Sequence, residues 1–194
     1  MNIPIKQDPI SLVASAIAIT ELVFLSVFPG DLQTDSILAA LILISGLVMQ
    51  RYFHIDAQEG LPESAQKNVF VYSAVAVVIF FVLNIYVPKL PLSVAPIISQ
   101  SGVVPAKMFE LLIAVAEEQF FRGFLANLLI TRTTASLGIF MDGAIFSIYH
   151  FAVYGSSGTD LAIVFGAGIT LSFIDWRTGR VSPSIIAHVI NNLL

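Results

Sequence analysis

A few ionisable side chains interrupt stretches of this chain that are otherwise apolar. They are Glu21; Glu110, Glu117, Glu118 and Arg122; Asp142 and His150; and His188, followed by Asn191 and Asn192. A charge in an apolar medium is costly, so each such residue is a functional candidate. In AVAEEQFFRGF, Glu118 and Arg122 are four residues apart, in the favourable acid-before-base order. Glu117 lies about 100° round the helix from Glu118, so one carboxylate can pair with Arg122 while the other points elsewhere. An internal ion pair explains one glutamate and the arginine, but not the second glutamate. In IFSIYHFAVYG, Phe146 and His150 share a helix face; in AHVINNLL, His188 and Asn192 do. A packed or hydrogen-bonded role would suffice for either histidine alone. Together, a carboxylate, two imidazoles and a carboxamide are enough for hydrolysis. Carboxylate and imidazole can hold and deprotonate a water, and imidazole and amide N–H can stabilise an oxyanion. There is no HExxH and no GxSxG. Glutamate with two histidines is also a ligand set of catalytic zinc, and on spacing both uses stay open.

These groups must be positioned by apolar elements. Hydrophobic residues make up 57% of the 194-residue chain and charged residues 11%, against about 25% charged in a soluble domain. So few charges cannot cover a water-soluble globule. A net charge of -4 offers no basic footprint, so nucleic acid is excluded as a partner. The chain has no cysteine, which removes disulfides and thiolate sites. The remaining class is an all-α, polytopic membrane bundle forming one domain over 1–194, with membrane lipid as its surroundings. Apolar runs predict six spans, at about 10–28, 36–52, 69–87, 106–130, 133–154 and 159–175, each near the roughly 20 residues a bilayer requires. A short last helix is expected from near Pro183 to Leu194, with Ser182 as its N-cap. Segment 1 is read as a first membrane helix rather than a signal peptide. With the N-terminus in the cytoplasm, inner loops carry Lys6, Arg51, Lys67, Arg132, Arg177 and Arg180, and outer loops only Lys89 and Lys107. The connection 88–105, rich in proline, reads as interfacial.

The ordered set EExxxR, FxxxH and HxxxN, in three successive apolar segments, resembles the CPBP family. This is the CAAX-protease and bacteriocin-processing group, also called Abi or type II CAAX prenyl endopeptidase-like proteins. Glu117, Glu118, Arg122, Phe146, His150, His188 and Asn192 carry the resemblance, with EEQFFRGFL and SPSIIAHVINN around them. It covers roughly 105–194. It implies an integral-membrane endopeptidase of the glutamate type, expected in the plasma membrane, acting on a membrane-associated, prenylated (CAAX-type) or small exported peptide. By the same likeness Glu117 is the general base, acting with His150 on a water. His188 and Asn192 form the oxyanion hole, and Glu118, Arg122 and Phe146 support the site. Members have been described both as metalloproteases and as metal-independent; the expectation here is no metal and no cofactor, with zinc as the alternative. The family also holds immunity and scaffold proteins. A small transporter with a proton relay is a further alternative, against which the lack of an inverted repeat weighs.

Helix arithmetic tests the arrangement. Arg122 and Asp142 lie about 12–14 Å from the turn between segments 4 and 5, so they can pair. His188 fits less well, only about 9 Å from the start of its helix. Either 175–183 dips into the protein, or the ends of segments 5 and 6 lie elsewhere. Glu110 reads as lining an entrance or snorkelling, Glu21 has no assigned partner, His54 reads as a solvated residue of the 51–68 loop, and Asp175, Arg177 and Arg180 read as a loop with turn character.

Overall fold

The computed structural model describes Thr20 and residues 32–52, 68–86, 103–155 and 157–193. Segment 1 with Glu21, the loop holding His54 and most of the 88–105 connection lie outside the described residues. Among the described residues the fold is all-helical, with no strand. Helix α1 spans Leu32–Tyr52 and α2 Val69–Tyr86. Next come α3 (Val103–Glu118), a π-helical stretch (Gln119–Ala126) and α4 (Asn127–Arg132), joined without a break in helical backbone. Then follow α5 (Ala135–Tyr149), one turn of α6 (Phe151–Tyr154), α7 (Gly158–Thr178) and α8 (Ser182–Leu193).

Local chemistry sets these boundaries. Thr134 caps α5 by accepting from the Leu137 N–H, and Ser157 caps α7 by accepting from Asp160. Gly179, at φ 66°, ends α7 in the left-handed conformation and donates its N–H to the Asp175 carbonyl. Segment 6 therefore runs to Thr178, three residues beyond the expected 175, because glycine rather than the preceding charges stops it. Segment 5 is interrupted where an unbroken helix was expected. His150 sits at φ -77°, ψ -2°, and both its backbone N–H and its ring Nδ1 approach the Phe146 carbonyl. Segment 4 changes hydrogen-bond register in its middle. The amide of Asn127 donates to the Arg122 and Gly123 carbonyls, which the wider turn leaves under-bonded.

Two apolar clusters hold the helices. Ile42 and Met49 of α1 pack on Ala116, Phe120, Phe121 and Phe124, with Phe146 of α5. Ala76 and Phe80 of α2 pack on Ala167, Leu171 and Ile174 of α7 and Ala187 of α8. Helices α5 and α7 touch backbone to backbone, since a Cβ on Gly168 would meet the Gly143 Cα at 2.9 Å. Small residues at a crossing allow this approach, as in membrane helix pairs.

Large apolar side chains cover the outside. Ile37, Ile44 and Val48 on α1, and Phe70, Val78 and Phe81 on α2, are each more than half exposed. By length and composition, α7 is the one helix among those described that suffices to cross a bilayer; Ala39–Arg51, Val69–Leu83 and Ala135–Tyr149 are apolar but shorter. Of the expected spans that lie in the described residues, segment 6 is the one that meets this measure. The run 103–132 carries too many charges, among them Glu117, Glu118 and Arg122, to meet it.

Candidate active site

The last turn of α3 presents Glu117 and Glu118 where the π stretch begins. Glu118 is fully buried. Its Oε1 accepts from Arg122 Nη1 at 3.2 Å and from His188 Nδ1 at 2.7 Å. Arg122 is also fully buried, with Nη2 donating to the Gly168 carbonyl at 3.4 Å and Nε 3.7 Å from Asp142 Oδ2. Its guanidinium lies 4.0 Å from the Phe146 ring centroid, close enough for a cation–π contact. The Ser172 hydroxyl donates to the other side of this arrangement, at Asp142 Oδ2. The expected pairing of Arg122 with Glu118 and with Asp142 is thus present, the second as an ion contact rather than a hydrogen bond.

Glu117 faces a different environment. Its side chain keeps 7% of its surface accessible, where Glu118 keeps none. Its Oε2 lies 3.8 Å from His188 Nε2, and Tyr149 and His150 stand within electrostatic range. The two imidazoles flank Phe146, with ring centroids at 4.4 Å for His150 and 6.3 Å for His188. His150 is also stacked on Tyr154. Because a carbonyl only accepts, His150 Nδ1 carries a proton to the Phe146 oxygen, 2.9 Å away. Its Nε2 is then the free nitrogen, with a lone pair in the neutral ring. His188 Nδ1 is likewise committed, to Glu118, so that its Nε2 faces Glu117.

Asn192 is placed elsewhere. Its Nδ2 donates to the Glu110 carbonyl at 3.3 Å, and its own carbonyl accepts from Lys107 Nζ at 2.8 Å. Glu110 lies about two helical turns from Glu117 along α3. No hydrogen bond joins Asn192 to Glu117, His150 or His188 among the described residues. Glu110 itself pairs with Lys107 at 2.8 Å.

The ends of α7 and α8 turn their Asp175, Thr178, Pro183 and Ser184 side chains inward, while Arg180 between them is exposed, and α7 ends later than expected, at Thr178. Asp175, expected in a turn, is instead in the last turn of α7 and bonded to Ser184. Sequence reasoning passed over Ser184, although its four-residue spacing to His188 puts the two on one face. Tyr149 also went unread, since an aromatic beside a motif histidine reads as packing.

The donor set fits a metal poorly. Among the described residues no three His, Asp or Glu side chains converge as ligands. Glu118 and His188 Nδ1 are bonded to each other, and a guanidinium 3.2 Å from that carboxylate opposes a second cation.

The Rce1-like family model, that of the type II CAAX prenyl endopeptidases, matches residues 100–194. Over that region the chain is similar to that family of proteases, and the matched region contains every residue of the cluster just described. It is the family to which the three motifs pointed. No curated protein and no solved structure matches the chain.

Proposed function

We propose that this protein is an intramembrane endopeptidase in which Glu117 activates a water, with no metal in the reaction. The observation that carries this is the unequal treatment of two adjacent glutamates. Glu118 is fully enclosed and paired with Arg122, whereas Glu117 is buried without an ion pair to Arg122, its Oε2 3.8 Å from His188 Nε2 and 7% of its side chain still open. This difference favours a supporting role for the first and a reacting role for the second.

In this reading water lies between Glu117 and His150, donating one hydrogen bond to His150 Nε2. Glu117 removes its other proton as the oxygen attacks the scissile carbonyl carbon. The carbonyl π bond opens to an oxyanion, which protonated His188 stabilises through Nε2–H, its Nδ1–H remaining on Glu118. The tetrahedral intermediate then collapses. The C–N bond breaks, the amine leaves with the proton that Glu117 had taken, and the carboxylate is restored. Asn192 gives one amide N–H to the Glu110 carbonyl and keeps the second for an oxyanion, which it would reach by moving toward the Glu117 cluster.

The substrate class is a membrane-associated peptide, prenylated at a CAAX-type terminus or small and exported. The apolar outer faces of α1 and α2 suit a protein that receives its substrate from lipid, in the plasma membrane, with the N-terminus in the cytoplasm. The test is cleavage of a farnesylated CAAX peptide, and of its unprenylated twin, by purified protein in detergent, with and without chelator. Chelator-insensitive cleavage of the prenylated peptide is expected. Loss of activity on chelation would replace the glutamate-activated water by zinc chemistry. Failure to cleave any peptide in a library would favour an immunity or scaffold role.

A further inference from the structure

Asp175 closes α7, and the chemistry just proposed does not use it. It is 6% accessible, and its Oδ1 has no hydrogen-bond partner among the described residues. Among the described residues it forms no ion pair, because Arg122 reaches Glu118 and Asp142 instead. An ionised carboxylate without a counter-ion, with one oxygen buried and unbonded, is strongly disfavoured.

Counting protons leads to the same place. Asp175 Oδ2 lies 2.6 Å from Ser184 Oγ, and that Oγ lies 2.8 Å from the Val181 carbonyl. A hydroxyl has one proton to give, while carboxylates and carbonyls only accept. Both contacts are satisfied when Asp175 supplies a proton of its own: Oδ2–H donates to Ser184 Oγ, and Ser184 donates to Val181. Ser172 repeats the two contacts, with Asp142 and the Gly168 carbonyl, but there Arg122 Nε stands 3.7 Å from the acid. Among the described residues no cation comes within ion-pair distance of Asp175, and Arg122 acts on it only from further off.

Ser184 lies one turn before His188 on the same face of α8. The chain Asp175–Ser184–Val181 therefore ties the end of α7 to the first turn of α8, beside the Gly179 N–H bond to the Asp175 carbonyl. It sets how far α8 slides along α3, and thus whether His188 Nδ1 reaches Glu118 at 2.7 Å. We propose that Asp175 is a positioning residue for His188, acting as a neutral carboxylic acid that locks the α7–α8 connection. Its catalytic consequence rests on the glutamate–water reading; its neutral state does not.

The test compares Asp175→Asn, Asp175→Ala and Ser184→Ala in the purified full chain. A carboxamide donates to Ser184 as the acid does, so Asp175→Asn should restore what Asp175→Ala loses. That loss is expected to be about tenfold in kcat, with KM changed less than about twofold, as one buried hydrogen bond would give. Asp175→Asn as damaged as Asp175→Ala, with the fold intact by circular dichroism, would overturn the proposal by showing that the charge is needed. Infrared spectra decide the neutral state without any activity. The wild type should show a protonated-carboxyl C=O band that Asp175→Asn lacks, and an unchanged spectrum would equally overturn it. If no peptide is cleaved by wild type, the peptidase reading fails, and the infrared result still judges Asp175.

Discussion

Arg122 is surrounded by groups that make sense only if it is charged. Glu118 and Asp142 face it at 3.2 and 3.7 Å, Phe146 offers a ring face at 4.0 Å, and no part of the side chain meets solvent. Removing one partner of a buried pair leaves the other charge without compensation, typically at about 3–5 kcal/mol. Arg122→Ala should therefore unfold at a markedly lower temperature in detergent and lose activity with its fold. Arg122→Lys should recover part of the stability, because an ammonium keeps the charge but not the fork that reaches both Glu118 and Gly168. An Arg122→Ala protein as stable as wild type would show that the acids around it are not held by its charge.

At the scale of elements, the site depends on how closely α5 and α7 approach. Gly143 and Gly168 let their backbones touch, which brings Asp142 to Ser172 and the Gly168 carbonyl to Arg122. Gly168→Ala puts a methyl group 2.9 Å from the Gly143 Cα, against backbone that cannot step aside. Overpacking of this kind costs about 1–3 kcal/mol, readable as a fall in the thermal midpoint. Gly166→Ala on the same helix, where an added Cβ meets nothing within 4 Å, should show no such fall. Spacing told much of this arrangement in advance. Four-residue intervals put Glu118 with Arg122 and Phe146 with His150, because any helix presents such pairs on one face. The π stretch was not legible, since it depends on which carbonyls Asn127 and the packing of Phe120 and Phe121 can satisfy. Nor was the partner of Asn192. The face it shares with His188 was readable, but the Glu110 carbonyl two turns before Glu117 on α3 was not. Asp175 was misread because the glycine that ends α7 stands four residues further on.

Across the described residues the molecule presents apolar side chains outward and keeps its charges inside or at the ends of helices. Exposed Arg132, Arg177 and Arg180 gather where α4 hands over to α5 and α7 to α8. The positive-inside rule predicts that this end faces the cytoplasm. The chain has no native cysteine, so Arg180→Cys introduces a single thiol. A membrane-impermeant thiol reagent should label it only after cells are permeabilised; labelling of intact cells would invert the topology.

The central claim is that one of two neighbouring glutamates activates water while the other supports it. The direct measurement is turnover by Glu117→Gln, beside binding of the same peptide. Glutamine keeps the size of the side chain but cannot take a proton. Turnover should fall by about 10²–10⁴-fold while the variant stays folded and still binds the peptide. Glu117→Gln cleaving at the wild-type rate would contradict the account and leave the Glu117 cluster as a binding or structural feature.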